Sequence, residues 1–401
     1  MVPARIARLF VLGLLSFLPA CKKNSGKPSP YILNIYPLMG APGIPVVISG
    51  THFDTVASHI TVTFNGLTAT IYSAYDSSIT VIVPAGATTG KIIVTVNGQS
   101  TTSASDFVIL PGIWKQKSSI PNNSPPSGRV AGIGFAVGNY GYMGLGYNGI
   151  IDLDDLLRYD PSSDAWTQMG SSGLGLEGAV CILINNKAYI GIGVSRSSPN
   201  RFSNAFFEYD PATNIWTTKS SFPGAHRYSA IGFSINSLGY VGLGLDSVST
   251  DLTDMWQYDP SADTWTQKTS FPASAPVLDF PVSLVLDTIA FVGGGIISGR
   301  TAISLWWQYS PSTNTWTQKH NPPGQPPIFG STMVINGKGY VMGGGSENWA
   351  YDPVTDSWTP MAFFAEKVAG STFVIGNMGY FGLGSGLEGY YENDFWQFTP
   401  Q

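Results

Sequence analysis

Charge is scarce in this chain. Of its 401 residues, 20 are Lys or Arg and 25 are Asp or Glu. Charged residues make up 11%, against about 25% in ordinary soluble domains. The balance is acidic, with a net charge of −5. No basic run follows Lys23, so the chain lacks the footprint of a nucleic-acid binder. Two cysteines cannot form a disulfide scaffold. There is no HExxH, GxSxG, P-loop or CxxC, so no familiar metal, hydrolase, nucleotide or redox motif is present and no cofactor is expected. Beyond residue 20 no apolar run reads as a transmembrane helix. What is abundant is glycine, 47 residues, and aromatic residues, 13%. With Thr and Val, and without long helical patterns, that composition predicts an all-β protein with a large core.

The first thirty residues read as a targeting segment. Arg5 and Arg8 precede an apolar run, Leu9 to Ala20, too short to span a bilayer as a helix. The run ends in Leu18-Pro19-Ala20-Cys21, which resembles a bacterial lipobox, although Pro19 is less usual than a small residue there. The resemblance implies cleavage before Cys21 and lipidation of that residue. Each buried CH₂ of an acyl chain contributes about 0.8 kcal/mol, and more than one chain anchors stably. The other reading is ordinary cleavage with Cys21 an incidental thiol. Residues 21–30, polar and Pro-containing, form a tether. The expected location is the cell envelope, as an outer-membrane lipoprotein.

Residues 31–110 show short alternating runs punctuated by Gly, Pro and Asn, the pattern of a β-sandwich. Pro37, Gly40, Gly43, VVISGTHF, VTFNG, ITVIVP and IIVTVNG resemble an IPT/TIG domain. The resemblance implies an immunoglobulin-like fold serving as a spacer or binding module. His52 and His59 lie near one loop without a carboxylate cluster, so no metal site is expected there.

Residues 111–401 are repetitive. YDPSSDAW, YDPATNIW, YDPSADTW, YSPSTNTW and YDPVTDSW begin at Tyr159, Tyr209, Tyr258, Tyr309 and Tyr351, and Phe398-Thr399-Pro400 starts a sixth copy. A glycine-rich ladder precedes each, from GYMGLG at Gly141 to GYFGLG at Gly379. A period near fifty residues, paired glycines, a Tyr-Asp-Pro turn and a Trp resemble kelch repeats. The resemblance implies a six-bladed kelch β-propeller like that of galactose oxidase, whose copper-ligand constellation is not found here. Asx stands at Asp164, Asn214, Asp263, Asn314 and Asp356, where the turn calls for positive φ. The ladder glycines are expected where blades converge on the axis. Trp114 resembles the fourth strand of a blade lacking the other three. The strand at 112–117 is therefore expected to complete the last blade and close the ring.

Candidate site residues come from the loops of one propeller face. Ten to twelve residues before each ladder stand Arg129, Glu177, Arg227, Asp279, Phe329 and Lys367. A second loop family adds Asn148, Arg196, Arg201, Asp246, Arg300, Glu347 and Glu388, with Tyr228 and Phe280 beside the rim. Arg with aromatics suits recognition of a glycan or a protein partner. The same residues also read as loop ends whose charges pair with one another. On the recognition reading the chain is a non-catalytic binding protein held at the membrane by its lipid. A second reading, by resemblance to the six-bladed kelch N-acetylneuraminate epimerases, is a sugar mutarotase. Arg129, Arg196 or Arg227 would then hold a sugar carboxylate, and Glu177 or His226 would move protons. A third is an assembly scaffold. Cys181, in an apolar run, reads as a core thiol, and Asp152, Asp154 and Asp155 as a solvated loop rather than a calcium loop.

Overall fold

A computed structural model describes residues 28–121, 128–197, 201–275, 278–297, 301–324, 329–343, 348–362, 367–386 and 389–400. The regular structure is strand throughout, apart from one short 3-10 turn at Ala57–His59. Among the described residues no helix is long and apolar enough to cross a membrane.

The N-terminal unit is a sandwich of a four-stranded and a five-stranded sheet. Period-two alternation builds it: along Pro45–Thr51 the side chains of Val46 and Ile48 are buried while Pro45 and Val47 are exposed. They meet Val62, Phe64, Ile79, Val81, Ile92 and Val94 in one core. Asn65-Gly66 and Asn97-Gly98 turn two hairpins with positive φ at both positions, the conformation that matches the twist of the flanking strands. Met39–Gly40 runs parallel to Val108–Ile109.

The rest of the chain forms six four-stranded antiparallel sheets. Blade 1 comprises Ile133–Val137, Tyr140–Gly144, Leu156–Asp160 and Ala165–Gln168. Blades 2, 3, 4 and 5 repeat the order from Val180, Ile231, Val282 and Ser331. Blade 6 takes Ser371–Ile375, Met378–Gly382 and Phe395–Thr399, and its fourth strand is Ile113–Lys117 from the start of the propeller. The register runs from Ile113 opposite Thr399 to Lys117 opposite Phe395. First strands of successive blades touch all the way round, blade 6 to blade 1 included. The ring thus closes as expected from Trp114.

The repeated YDP segment is an interblade staple. All five Asx residues have φ between 51° and 56°. Each accepts a hydrogen bond from the Tyr hydroxyl five residues earlier, as Tyr258 donates to Asp263 at 2.6 Å. The same Asx oxygen accepts a backbone N–H from the preceding blade: Ser118, Gly170, Ser220, Thr269 or His320. The carbonyl of that same residue accepts the indole N–H of the next blade's Trp. At the closure, Trp114 donates to the Ala362 carbonyl at 3.2 Å. No Asx is available there, and the Pro111 carbonyl accepts from Ala362 instead.

The ladder glycines depart in part from expectation. A Cβ on Gly144, Gly191 or Gly293 would strike the backbone carbonyl of Asp155, Ala205 or Leu305 in its own blade. One on Gly141 or Gly379 would strike Phe373 or Met333 of the preceding blade. Close approach is the reason for both sets, but half of it lies within a blade and not at the axis.

Only Leu110, Pro111 and Gly112 join the sandwich to the closing strand. Gly112 has φ 101°, and a Cβ there would lie 2.2 Å from the Phe398 ring, so this position admits glycine alone. Ala41 and Leu110 pack with Ala362 and Trp114 across the joint. Because strands alternate in direction, Thr399 and its partner Ile113 lie at the blade end remote from the loops leading into the first strands. The sandwich attaches at that remote end.

Candidate functional site

Those lead-in loops share a three-residue backbone cell. The cells are Arg129-Val130-Ala131, Leu176-Glu177-Gly178, Arg227-Tyr228-Ser229, Leu278-Asp279-Phe280 and Lys367-Val368-Ala369, with Phe329 as the third residue in blade 5. The middle residue bridges to the loop after the second strand, as in Val130 to Tyr147 and Asp279 to Ile296. The third residue has φ of 52° to 62° in every blade. Backbone bonds from Ala131 to Ala369, Gly178 to Ala131 and Ala369 to Phe329 tie cells together around the axis.

The first cell position points into its blade. Arg129 is 2% exposed, Arg227 0% and Lys367 3%. Arg227 binds both oxygens of Asp254 at 2.8 Å and the Leu243 carbonyl at 3.1 Å, with Nε on the Ala225 carbonyl. Arg129 makes the same bidentate pair with Asp155 and reaches the Leu145 carbonyl. Lys367 binds Asp394 and Glu392. Burial would raise the Asp254 carboxyl, but the hydrogen bonds and charge of Arg227 outweigh it and hold it below its ordinary value. Burial lowers the Lys367 ammonium despite Glu392. Where the first position is Leu176 or Leu278, the residue at the acid's place, with its carbonyl against the second-strand glycine, is Ala205 or Leu305. In these five blades base and acid occur together or not at all, whereas blade 5 carries Pro327 and Glu347 at the corresponding sequence positions. A rim of free cations is corrected accordingly: Arg129, Arg227 and Lys367 are internal struts, and their charges are spent inside the blades.

Glu177 and Arg196 are also paired. Arg196 binds Glu177 at 2.7 Å and Asp152 of blade 1, and its guanidinium lies 3.7 Å over the Tyr147 ring. Asp154 accepts from Ser171. Asn148 is buried and caps the turn at Ile150 and Ile151. Asp246 caps Val248 and Thr250, and Arg201 is exposed at φ 58°. Desolvation pushes the Cys181 thiol up to about 12, which leaves it protonated and inert. His226 is exposed. Among the described residues no group of three His, Cys, Asp or Glu could hold a metal. Cys21, Arg300, Glu347 and Glu388 lie outside the described residues.

The middle and third positions line the mouth. A cavity of about 420 Å³ takes residues from all six blades, including Glu177, Tyr228, Phe280 and Phe329. A row of rings follows one side: Phe202 to Tyr228 at 5.9 Å, Tyr228 to Phe280 at 5.9 Å, and Phe280 to Phe329 at 4.1 Å. Phe280 and Phe329 hold φ of 53° and 52°, where the other blades place Ala, Gly or Ser. A bulky residue there costs on the order of 1–3 kcal/mol, and such outliers cluster at ligand sites. Desolvation, and then the charges of Asp279 and Glu177, raise the Tyr228 hydroxyl. Burial and the facing Asp251 carboxyl push Asp279 up to about 7. Sequence reasoning had Phe280 and Phe329 near the rim but not their backbone. It missed Asp251, whose only signal was its place in the second loop family.

Comparison with known proteins agrees with this architecture. No curated protein matches the chain. The solved structure of YjhT is similar to it, with a TM-score of 0.60 at 14% identity, over 68% of this chain and 95% of that one. At that identity the likeness carries fold alone. Residues 30–109 match the IPT/TIG domain family. The chain therefore couples an IPT/TIG domain to a six-bladed β-propeller.

Proposed function

We propose that the chain is a non-catalytic binding protein of the cell envelope, anchored through Cys21, whose propeller mouth takes a glycan or a protein loop. The observation that carries this is the pair of phenylalanines kept at strained backbone in the mouth cavity, where four other blades use small residues. Aromatic faces in a concave, six-sided mouth suit a ring or side chain stacked between them. The chain order supports the IPT/TIG domain as spacer: tether, sandwich and remote blade end follow in series, with the mouth on the other end. The mutarotase reading loses two of its three carboxylate anchors, since Arg129 and Arg227 are buried on Asp155 and Asp254, and the third, Arg196, is already paired with Asp152 and Glu177.

The test is saturation-transfer NMR of the chain with a sugar panel, recording anomeric exchange in the same samples. Transfer without faster exchange, abolished by Phe280→Ala with Phe329→Ala at an unchanged melting temperature, is the expected result. Accelerated exchange of α and β anomers would overturn it in favour of an enzyme. Anchoring is checked by metabolic labelling with palmitate, which Cys21→Ser should abolish.

A further inference from the structure

Two blade junctions at the mouth have the same backbone and different occupants. In blade 1, Tyr147 bridges Val130 and Asp152, and the Leu153 N–H reaches the Gly146 carbonyl. In blade 3, Leu245 bridges Tyr228 and Asp251, and the Leu252 N–H reaches the Gly244 carbonyl. Asp152 and Asp251 therefore hold one structural position. Across the junction the middle cell residue is acidic in both cases, Glu177 or Asp279. At the first junction Arg196 fills the space, with its guanidinium on both carboxylates and over an aromatic ring. At the second, Asp279 is 9% exposed and its Oδ1 accepts no hydrogen bond from the described residues. Among the described residues its charged and titratable neighbours are Asp251 and, from the adjoining cell, Tyr228. Between blades 6 and 1 the equivalent residues are Val130 and Tyr391, neither of them acidic, and the Tyr391 ring meets Tyr147.

We infer that the Asp251–Asp279 pair is a receptor for a guanidinium or ammonium group carried by the mouth's ligand, with Arg196 as the chain's own pattern for the occupant. This rests on the mouth being a binding face and gives its ligand a sign. Arg129, Arg227 and Lys367 are consumed inside the blades, Arg196 is held by Asp152 and Glu177, and among the described residues no cation sits on the Asp251–Asp279 pair. Two carboxylates crowded in a half-dry site retain a proton between them, and an arriving cation displaces it. The Tyr228 and Phe280 rings, adjacent in the same wall, add attraction for an organic cation that they do not offer a neutral group. A calcium ion needs six to eight oxygens, which this pair does not supply.

The experiment is calorimetric titration of the full chain with argininamide and with glucosamine, between pH 6 and 8. Expected is one site that tightens as pH rises, with proton release. Asp279→Asn and Asp251→Asn should each weaken it at least tenfold. Arg196→Ala should add a second argininamide site by vacating Asp152 and Glu177. Preference for argininamide identifies a basic side chain as the source, and preference for glucosamine an amino sugar. Binding that ignores both Asn variants overturns the inference, as does a wild-type chain that binds neither probe. If Arg300→Ala alone creates a site, the chain fills the pair itself and the inference fails. Loss of the cation site with Phe280- and Phe329-dependent binding intact sinks this inference only. Loss of both removes the mouth as a binding face.

Discussion

The two ends of the blades are built on opposite rules. At the remote end the turns of blades 1 to 5 repeat one Tyr–Asx–Trp staple with equivalent partners. At the mouth the backbone cell repeats just as faithfully, with φ held near 52° to 62°. Its side chains change from blade to blade. Repetition of both backbone and side chain marks what the ring needs in order to close. Repetition of backbone with varied side chains marks where the frame is free to carry something else.

The largest break in this comparison should come from the mouth struts. Asp254→Ala leaves Arg227 charged and buried, and should cost about 3–5 kcal/mol in denaturant unfolding. Replacing both partners by leucine copies the Leu278–Leu305 pair of blade 4 and should restore most of that loss. If the double variant is as unstable as the single, the strut has a role beyond filling its blade.

Staple deletions should be smaller and uniform. Tyr159→Phe, Tyr209→Phe, Tyr258→Phe and Tyr309→Phe each remove one hydrogen bond of the same geometry and should each cost about 1 kcal/mol. A spread much wider than the experimental error between blades would show that the repeats are not energetically equivalent.

The ends should also differ in pH response. Burial would raise Asp164, Asp263 and Asp356, but the Tyr hydroxyls and neighbouring donors outweigh it and hold all three below their ordinary value. Their stabilisation is present above the ordinary carboxylate range and is lost as pH falls through the lowered values. Asp279 has the opposite sign. Its folded form keeps a proton up to about 7, so stability should decline as pH rises from about 4 to about 7. Asp279→Asn should remove that decline in thermal melts and leave the acid limb unchanged.

The smallest stability effect should be at the phenylalanines. Phe329→Gly relieves its backbone strain and loses its contact with Phe280, and the two nearly cancel. The melting temperature should move by only a few degrees while ligand binding is lost. A large drop in melting temperature would make Phe329 a structural residue.

These differences explain what could be read from the sequence. Ring closure was legible because Trp114 and Phe398-Thr399-Pro400 are halves of one motif. The Asx positions were legible because few residues tolerate positive φ. The mouth was not, because its loops vary in length. Counting back from the ladder placed Arg129, Arg227 and Lys367 from the first cell position beside Glu177 and Asp279 from the second and Phe329 from the third. The missing signal was the acid just ahead of the third strand. Asp155, Asp254 and Asp394 accompany the three cations, Ala205 and Leu305 accompany leucine, and blade 5 alone sets an acid, Glu347, against Pro327. Pairing within each repeat would have separated struts from rim.

The closing strand also sets a timetable. Ile113–Lys117 is made first and its partner Phe395–Thr399 last. At about 5–20 residues per second the strand waits on the order of tens of seconds for its mate. During that wait the sandwich ahead of it can already be folded, and the strand projects from it as an unpaired edge. Lys115 and Lys117 then act as chaperoning charges, since lysine on a bare edge discourages pairing with another chain. Only when the last blade arrives does Lys117 find Asp164 across the finished ring.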